Sequence, residues 1–141
     1  MTKDQKLKDA VKEGYSRVAK SGSPCCQSGC CGSAKPQQIS RKMGYTEEQM
    51  EAVPEGSNLG LGCGNPVALA ALKEGETVLD LGSGAGFDCF LAARAVGKLG
   101  KVIGVDMTED MLERAAANAR KGGYGNVEFR LGEIEALPVE N

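Results

Sequence analysis

Gly82, Gly84 and Gly86 stand at every second position in TVLDLGSGAGFD (77–88), behind an apolar run and the acid Asp80. Glycines so spaced let a chain leave a buried strand, turn sharply and start a helix, with bare backbone where a ligand can approach and amide donors pointing outward. Asp106 lies twenty residues beyond Gly86 at the end of the next apolar run, where a carboxylate can accept from both hydroxyls of a ribose. Turn and acid together describe a site for an adenosine-containing cofactor.

Two such cofactors compete. A dinucleotide turn wants its third glycine three residues after the second, so that helix and strand close over the pyrophosphate, and that position is Phe87. Asp80, just before the turn, would repel a pyrophosphate but can help hold the ammonium of a methionine moiety, directly or through water. The pattern favours S-adenosylmethionine.

The second chemical resource is sulfur. Cys25, Cys26, Cys30 and Cys31 form two adjacent pairs within SGSPCCQSGCCGSAKP (21–36), and Cys63 stands between two glycines in EGSNLGLGCGNP (55–66). Glycine-rich loops let thiolates converge on a soft ion at little steric cost. The two-CxxC spacing of a zinc ribbon is absent, and adjacent cysteines are awkward partners in one tetrahedral site. The clustered thiols are either soft-ion ligands or part of an uncommitted loop, and Cys63 is either an inert buried thiol or one placed at an exposed backbone approach. There is no histidine, so any ligand or proton acceptor comes from Cys, Asp, Glu, Lys or Tyr.

Composition narrows the partner. A chain of 141 residues builds one core, its net charge is −2, and its 17 basic residues are dispersed. With three Tyr, three Phe and no Trp, neither the basic stripe nor the stacking surface of a nucleic-acid binder is present, which points to a small-molecule substrate. No apolar run approaches the ~20 residues of a membrane span, and MTKDQKLKDAVKEG lacks the apolar centre of a signal peptide. The expected location is cytoplasmic, with reduced thiols.

The elements that must carry these residues follow from periodicity. Leu7, Val11, Tyr15 and Val18 share one face of a helix over 2–20, which either packs on a core or lies across the cofactor with Tyr15 touching it. Residues 21–36 read as loop. Thr46 and Gln49 form a capping box for a short helix ended by Pro54, and Asn65 with Pro66 opens another through about Leu72. Strands 77–81, 102–106 and 127–131 then alternate with helices 87–96 and 109–121, the second capped by Thr108 and ended by Gly122–Gly123, with Cys89 in the core. This is α/β architecture with a parallel sheet. VLDL and VIGV read as fully buried, and Val127–Leu131 as a less buried, edge-like strand. Residues 1–74 form an N-terminal region of helices and Cys/Gly-rich loops, a cofactor cover and thiol site, and residues 75–141 form the first half of a Rossmann-like domain.

With LDLGSGAG, GVDMT and FRLGEIEALP, the chain resembles the class I S-adenosylmethionine-dependent methyltransferases. The resemblance implies a Rossmann-like fold, with Gly82, Ser83 and Gly84 around the methionine part of the cofactor, Asp106 on the ribose, Met107 against adenine, and Glu133 and Ile134 near its edge. The run SNLGLGCGNPVALAALKEGETVLDLGSGAGFDCFLA, preceded by paired cysteines, is similar to the arsenite methyltransferase branch. That resemblance implies thiolate capture of trivalent arsenic by Cys63 and by Cys25 or Cys26. The same superfamily allows methylation of a small organic acceptor of quinone or sterol type, and a non-catalytic metalloid-binding module is the third reading.

The family's sheet continues with a fourth strand beside the first. A chain without it is expected to be a fragment, with 77–81 as an exposed apolar edge prone to self-association.

Overall fold

The computed structural model describes residues 2–22, 35–62 and 64–140, with nothing stated of the side chains of Ala68 and Leu69. The expectations for Cys25, Cys26, Cys30, Cys31 and Cys63 lie outside the described residues.

Helix α1 spans Lys3–Ser21, its first turn capped by Thr2 Oγ1, which accepts from Gln5 N at 3.2 Å, and its end turned by Gly22 at φ 65°. Helix α2, Pro36–Lys42, falls where the sequence offers only a seven-residue stretch behind a lysine, too short for periodicity and without a strong cap. Pro36 at its first turn and Gln38 Oε1, which accepts from Lys35 N at 3.3 Å, are the local signals that mark it.

The Thr46–Gln49 capping box starts α3, Glu47–Glu51, with reciprocal bonds of 3.0 and 3.1 Å. This helix stops short of Pro54. The Ala52 carbonyl accepts from Arg94 Nη1 and Tyr124 Oη, each at 3.1 Å, so tertiary partners take the place of another turn. Helix α4, Pro66–Ala70, likewise ends before Leu72.

Strands β1 (Thr77–Leu81), β2 (Lys101–Asp106) and β3 (Val127–Leu131) form a parallel sheet in the order β1-β2-β3, with Leu79 opposite Ile103 and Gly104 opposite Phe129. Helices α5 (Phe87–Val96) and α6 (Glu109–Gly122) cross between them. Right-handed crossovers along sequential strands place both helices on one face. There Cys89, Ala92, Ala93 and Val96 of α5 pack with Val102, and Val78, Tyr124, Val127 and Phe129 close around them. Cys89 is fully buried, as expected of a core residue.

Two expectations are corrected by this arrangement. β1 is the exposed edge expected of a chain without a fourth strand, so VLDL is not the fully buried run its residues suggest: Leu79 and Leu81 are 40% and 43% exposed, while VIGV is the better covered run, with Val102 and Val105 buried. Thr108 stands at the N-terminus of α6, but its side chain makes no capping bond. Its carbonyl accepts from Met111 N and Leu112 N, while its own N–H is drawn to Asp106 Oδ1 at 2.8 Å.

A smaller cluster lies over the end of the sheet. Val18 and Ala19 of α1, Leu59, Ala85 and Met111 form it, and Arg114 fastens it by donating to the Ala19 and Gly56 carbonyls at 2.6 and 2.9 Å. Among the described residues, no helix is long and apolar enough to cross a membrane.

Candidate cofactor site

The glycine turn is pinned to β2 before it does anything else. Gly82 N and Ser83 N both donate to the Val105 carbonyl, at 2.8 and 3.0 Å, and Gly84 N donates to Asp106 Oδ2 at 2.9 Å. Asp106 therefore holds the turn and the start of α6 with one bond to each oxygen, leaving lone pairs on both for further donors.

All three glycines have positive φ, but their surroundings differ. A Cβ at Gly82 or Gly84 would meet nothing within 4 Å, whereas one at Gly86 would come within 2.8 Å of the Phe90 ring and 3.0 Å of Phe129. The first two therefore leave open space for a ligand, and the third lets helix and sheet close.

That space belongs to a cavity of about 730 Å³, a size suited to a small-molecule site. Its floor is the turn with Asp106, Met107 and Thr108. One wall is the 57–62 segment with Tyr45, and the roof is the Leu7–Val11–Tyr15 face of α1. The stripe on α1 is thus divided: Val18 is buried in the core, while Leu7, Val11 and Tyr15, 66%, 37% and 43% exposed, look onto the cavity. The core-packing expectation thus holds for Val18, while the Leu7–Val11–Tyr15 part of the stripe borders the cavity instead.

Gly82, Ser83, Gly84, Asp106, Met107, Tyr15, Glu133 and Ile134 all line the cavity. Gly86 and Asp80 do not. Asp80 Oδ2 instead accepts from the Cys89 thiol at 3.1 Å behind the turn. Burial raises the Asp80 carboxyl to about 6 against the lowering effect of that bond, with the charges of Asp88 and Asp106 adding to the rise; burial and Asp80 push the Cys89 thiol well up. Glu133 is held below the ordinary carboxylate value by Lys8 at 2.7 Å and Lys12 at 3.3 Å, which ties α1 to the segment after β3.

Sequence reasoning missed Tyr45, Asp88 and Asn58. Tyr45 Oη donates to Asp88 Oδ1 at 2.7 Å and its ring lies 4.6 Å from that of Phe87; burial raises the Asp88 carboxyl while the Tyr45 bond lowers it. Asn58 Oδ1 accepts from Ser40 Oγ at 2.8 Å and Gly60 N at 3.1 Å. Asp88 was visible as an acid just past the turn; nothing local pairs it with a tyrosine 43 residues earlier.

Among the described residues, Ser83 Oγ and Asn58 Nδ2 are buried without a hydrogen-bond partner. Unmet polar groups beside open glycine backbone and an Asp106 with spare lone pairs fit a polar adenosine cofactor. Among the described residues, no group of three or more acids, cysteines or histidines could hold a metal ion.

Residues 72–141 match the family described as "Methyltransferase domain". The whole chain is 50% identical to the arsenite methyltransferase of Halobacterium salinarum over 96% of its length, and 38% identical to that of Aquipseudomonas alcaligenes over 93%. The chain belongs to the S-adenosylmethionine-dependent methyltransferases. It spans 37% of each of those two relatives. Its fold matches the crystal structure of a methyltransferase of the same cofactor class from Aquifex aeolicus, with a TM-score of 0.50, 30% identity, and coverage of 75% of this chain and 51% of that one. For a methyltransferase of this family the cofactor is S-adenosylmethionine. The turn, Asp106 and Met107 line the cavity in which such a cofactor would fit.

Proposed function

We propose that this chain is the cofactor-binding part of an arsenite methyltransferase, transferring the methyl group of S-adenosylmethionine to trivalent arsenic. The observation that carries the reading is the 50% identity to an arsenite methyltransferase over nearly the whole chain, N-terminal region included.

The cofactor supplies an electrophilic methyl carbon. The chain's contribution is alignment: the Gly82–Gly84 backbone and Asp106 fix the cofactor, α1 with Tyr15 covers it, and Met107, Glu133 and Ile134 border the adenine end. Cys63 and Cys25 or Cys26 are assigned as thiolate ligands of As(III), with Cys30 and Cys31 as further soft-ion ligands. Arsenic brings its own lone pair to the methyl carbon, so the absence of histidine is no obstacle. The thiols suit a reducing compartment, and the cytoplasm is the location assigned here. The uncovered β1 edge adds a second partner, another copy of the same chain.

Incubation with methyl-labelled S-adenosylmethionine and arsenite tests the reading. Methylated arsenic is the expected product. Label on an added quinone- or sterol-like acceptor, or arsenite retention without transfer, would replace it with the corresponding alternative. In a parallel titration, Cys63→Ser is expected to weaken arsenite binding, and unchanged affinity would remove Cys63 from the site.

A further inference from the structure

Four carboxylates line the cavity, and three are already answered. Glu133 and Glu135 share Lys8, at 2.7 and 3.1 Å, and Glu133 has Lys12 as well; Asp106 takes one backbone N–H on each oxygen. Asp88 is different. Among the described residues its one donor is the neutral hydroxyl of Tyr45, on Oδ1, and no lysine or arginine forms an ion pair with it. Lys8, the cation lining the cavity, is committed to the two glutamates.

A half-buried carboxylate with one neutral donor has lost water without gaining a counter-charge, and a ligand that brings a cation restores the balance. Asp88 is also held firmly. It is the second residue of α5, directly after the glycine turn; Tyr45, 4% exposed, fixes Oδ1, and the Tyr45–Phe87 ring contact fixes the backbone beside it. Oδ2 is left for an outside donor.

Resting on the cofactor reading above, we propose that Asp88, oriented by Tyr45, is the counter-charge for the ammonium of the cofactor's methionine end, a role the sequence alone assigns to Asp80. Asp80 is off the cavity lining and is occupied by the Cys89 thiol. The ammonium is the group chosen because it can donate an N–H to Oδ2, which the sulfonium cannot, and because it persists after methyl transfer, when the sulfonium charge is gone. Tyr45 is a positioning residue in this scheme.

The test is ligand binding by calorimetry to the full 141-residue chain, with three probes. S-adenosylhomocysteine carries ammonium and carboxylate, decarboxylated S-adenosylmethionine carries ammonium without carboxylate, and 5′-methylthioadenosine carries neither. Asp88→Asn is isosteric and can still accept from Tyr45. It is expected to weaken the first two probes roughly ten- to hundredfold, the range of a hydrogen bond to a charged group, and to leave 5′-methylthioadenosine within about twofold. Tyr45→Phe is expected to produce a smaller loss of the same selectivity. Retained 5′-methylthioadenosine binding shows that each variant is folded. Equal weakening of all three probes by Asp88→Asn, or no weakening of any, overturns the proposal; so does an ammonium-selective loss found in Asp80→Asn and absent from Asp88→Asn. If the unaltered chain binds none of the probes, the cofactor reading itself fails, which is a separate outcome from these.

Discussion

At the scale of single residues, Asp80 shows how a motif position and its surroundings can pull apart. It is the acid that precedes the glycine turn, yet its carboxylate faces a buried thiol and burial lifts it to about 6. A carboxyl raised from 3.8 in the folded chain binds its proton more tightly there than in the unfolded chain. Its stabilising contribution is therefore complete below about pH 4 and is lost as pH rises toward 6. Asp80→Asn removes that loss without removing the partner of Cys89. In the absence of cofactor the variant is expected to be more stable than the unaltered chain at pH 7 by about 2 to 3 kcal/mol, with the gain shrinking toward zero at pH 4. Urea midpoints for both chains at the two pH values check this; a gain of equal size at both would assign the effect to packing.

At the scale of elements, the feature with the most consequence is α1. Its C-terminal end is anchored by Val18, Ala19 and the Arg114 bond to the Ala19 carbonyl, with Lys20 to Asp110 at 3.2 Å. Its N-terminal half rests over the cavity on Lys8 and Lys12 against Glu133 and Glu135. These groups are about a third exposed or more, so salt screens them readily. Raising the salt from about 0.05 to about 1 M, beyond the range where exposed pairs survive screening, is expected to speed amide exchange in residues 3–12 and leave 17–21 protected. Lys8→Met with Lys12→Met is expected to do the same at low salt. Glu133 and Glu135 titrate below the ordinary carboxylate value, so the latch is complete above that value and is lost as pH falls through their lowered pKa. Exchange in α1 that ignores both salt and the double substitution would assign the helix's hold to its apolar face alone.

At the scale of the molecule, the sheet has β1 at one edge and β3 at the other, and the two edges differ in kind. β3 carries Glu128 between Lys101 and Arg130, each at 2.7 Å, so charge guards it. β1 presents exposed Leu79 and Leu81 beside unpaired backbone. The purified 141-residue chain is expected to self-associate through β1, and Leu79→Lys to shift it toward monomer, as read by sedimentation velocity. A monomeric unaltered chain with sharp cooperative unfolding would count against that use of the edge.

The periodic elements and the cofactor turn were legible from residues alone because their causes are local. Positive φ at Gly82, Gly84 and Gly86, the capping box at Thr46, and the alternation of apolar runs with helical stretches each depend on a few neighbours in sequence. Asp106 was legible for the same reason, as the end of an apolar run at a fixed distance from the turn. What only the tertiary structure decided is which side chains face the cavity and which carboxylates find partners. Tyr45 reaches Asp88 across 43 residues and Lys8 reaches Glu133 across 125, while Asp80, one turn of strand from the glycines, points away to Cys89. Such pairings depend on how helices cross a sheet and on which face they cover; the first two pairs are too far apart for any local window, and even the nine-residue separation of Asp80 and Cys89 does not say that the two face each other. The thiol loops stand outside this comparison, because Cys25, Cys26, Cys30, Cys31 and Cys63 lie outside the described residues.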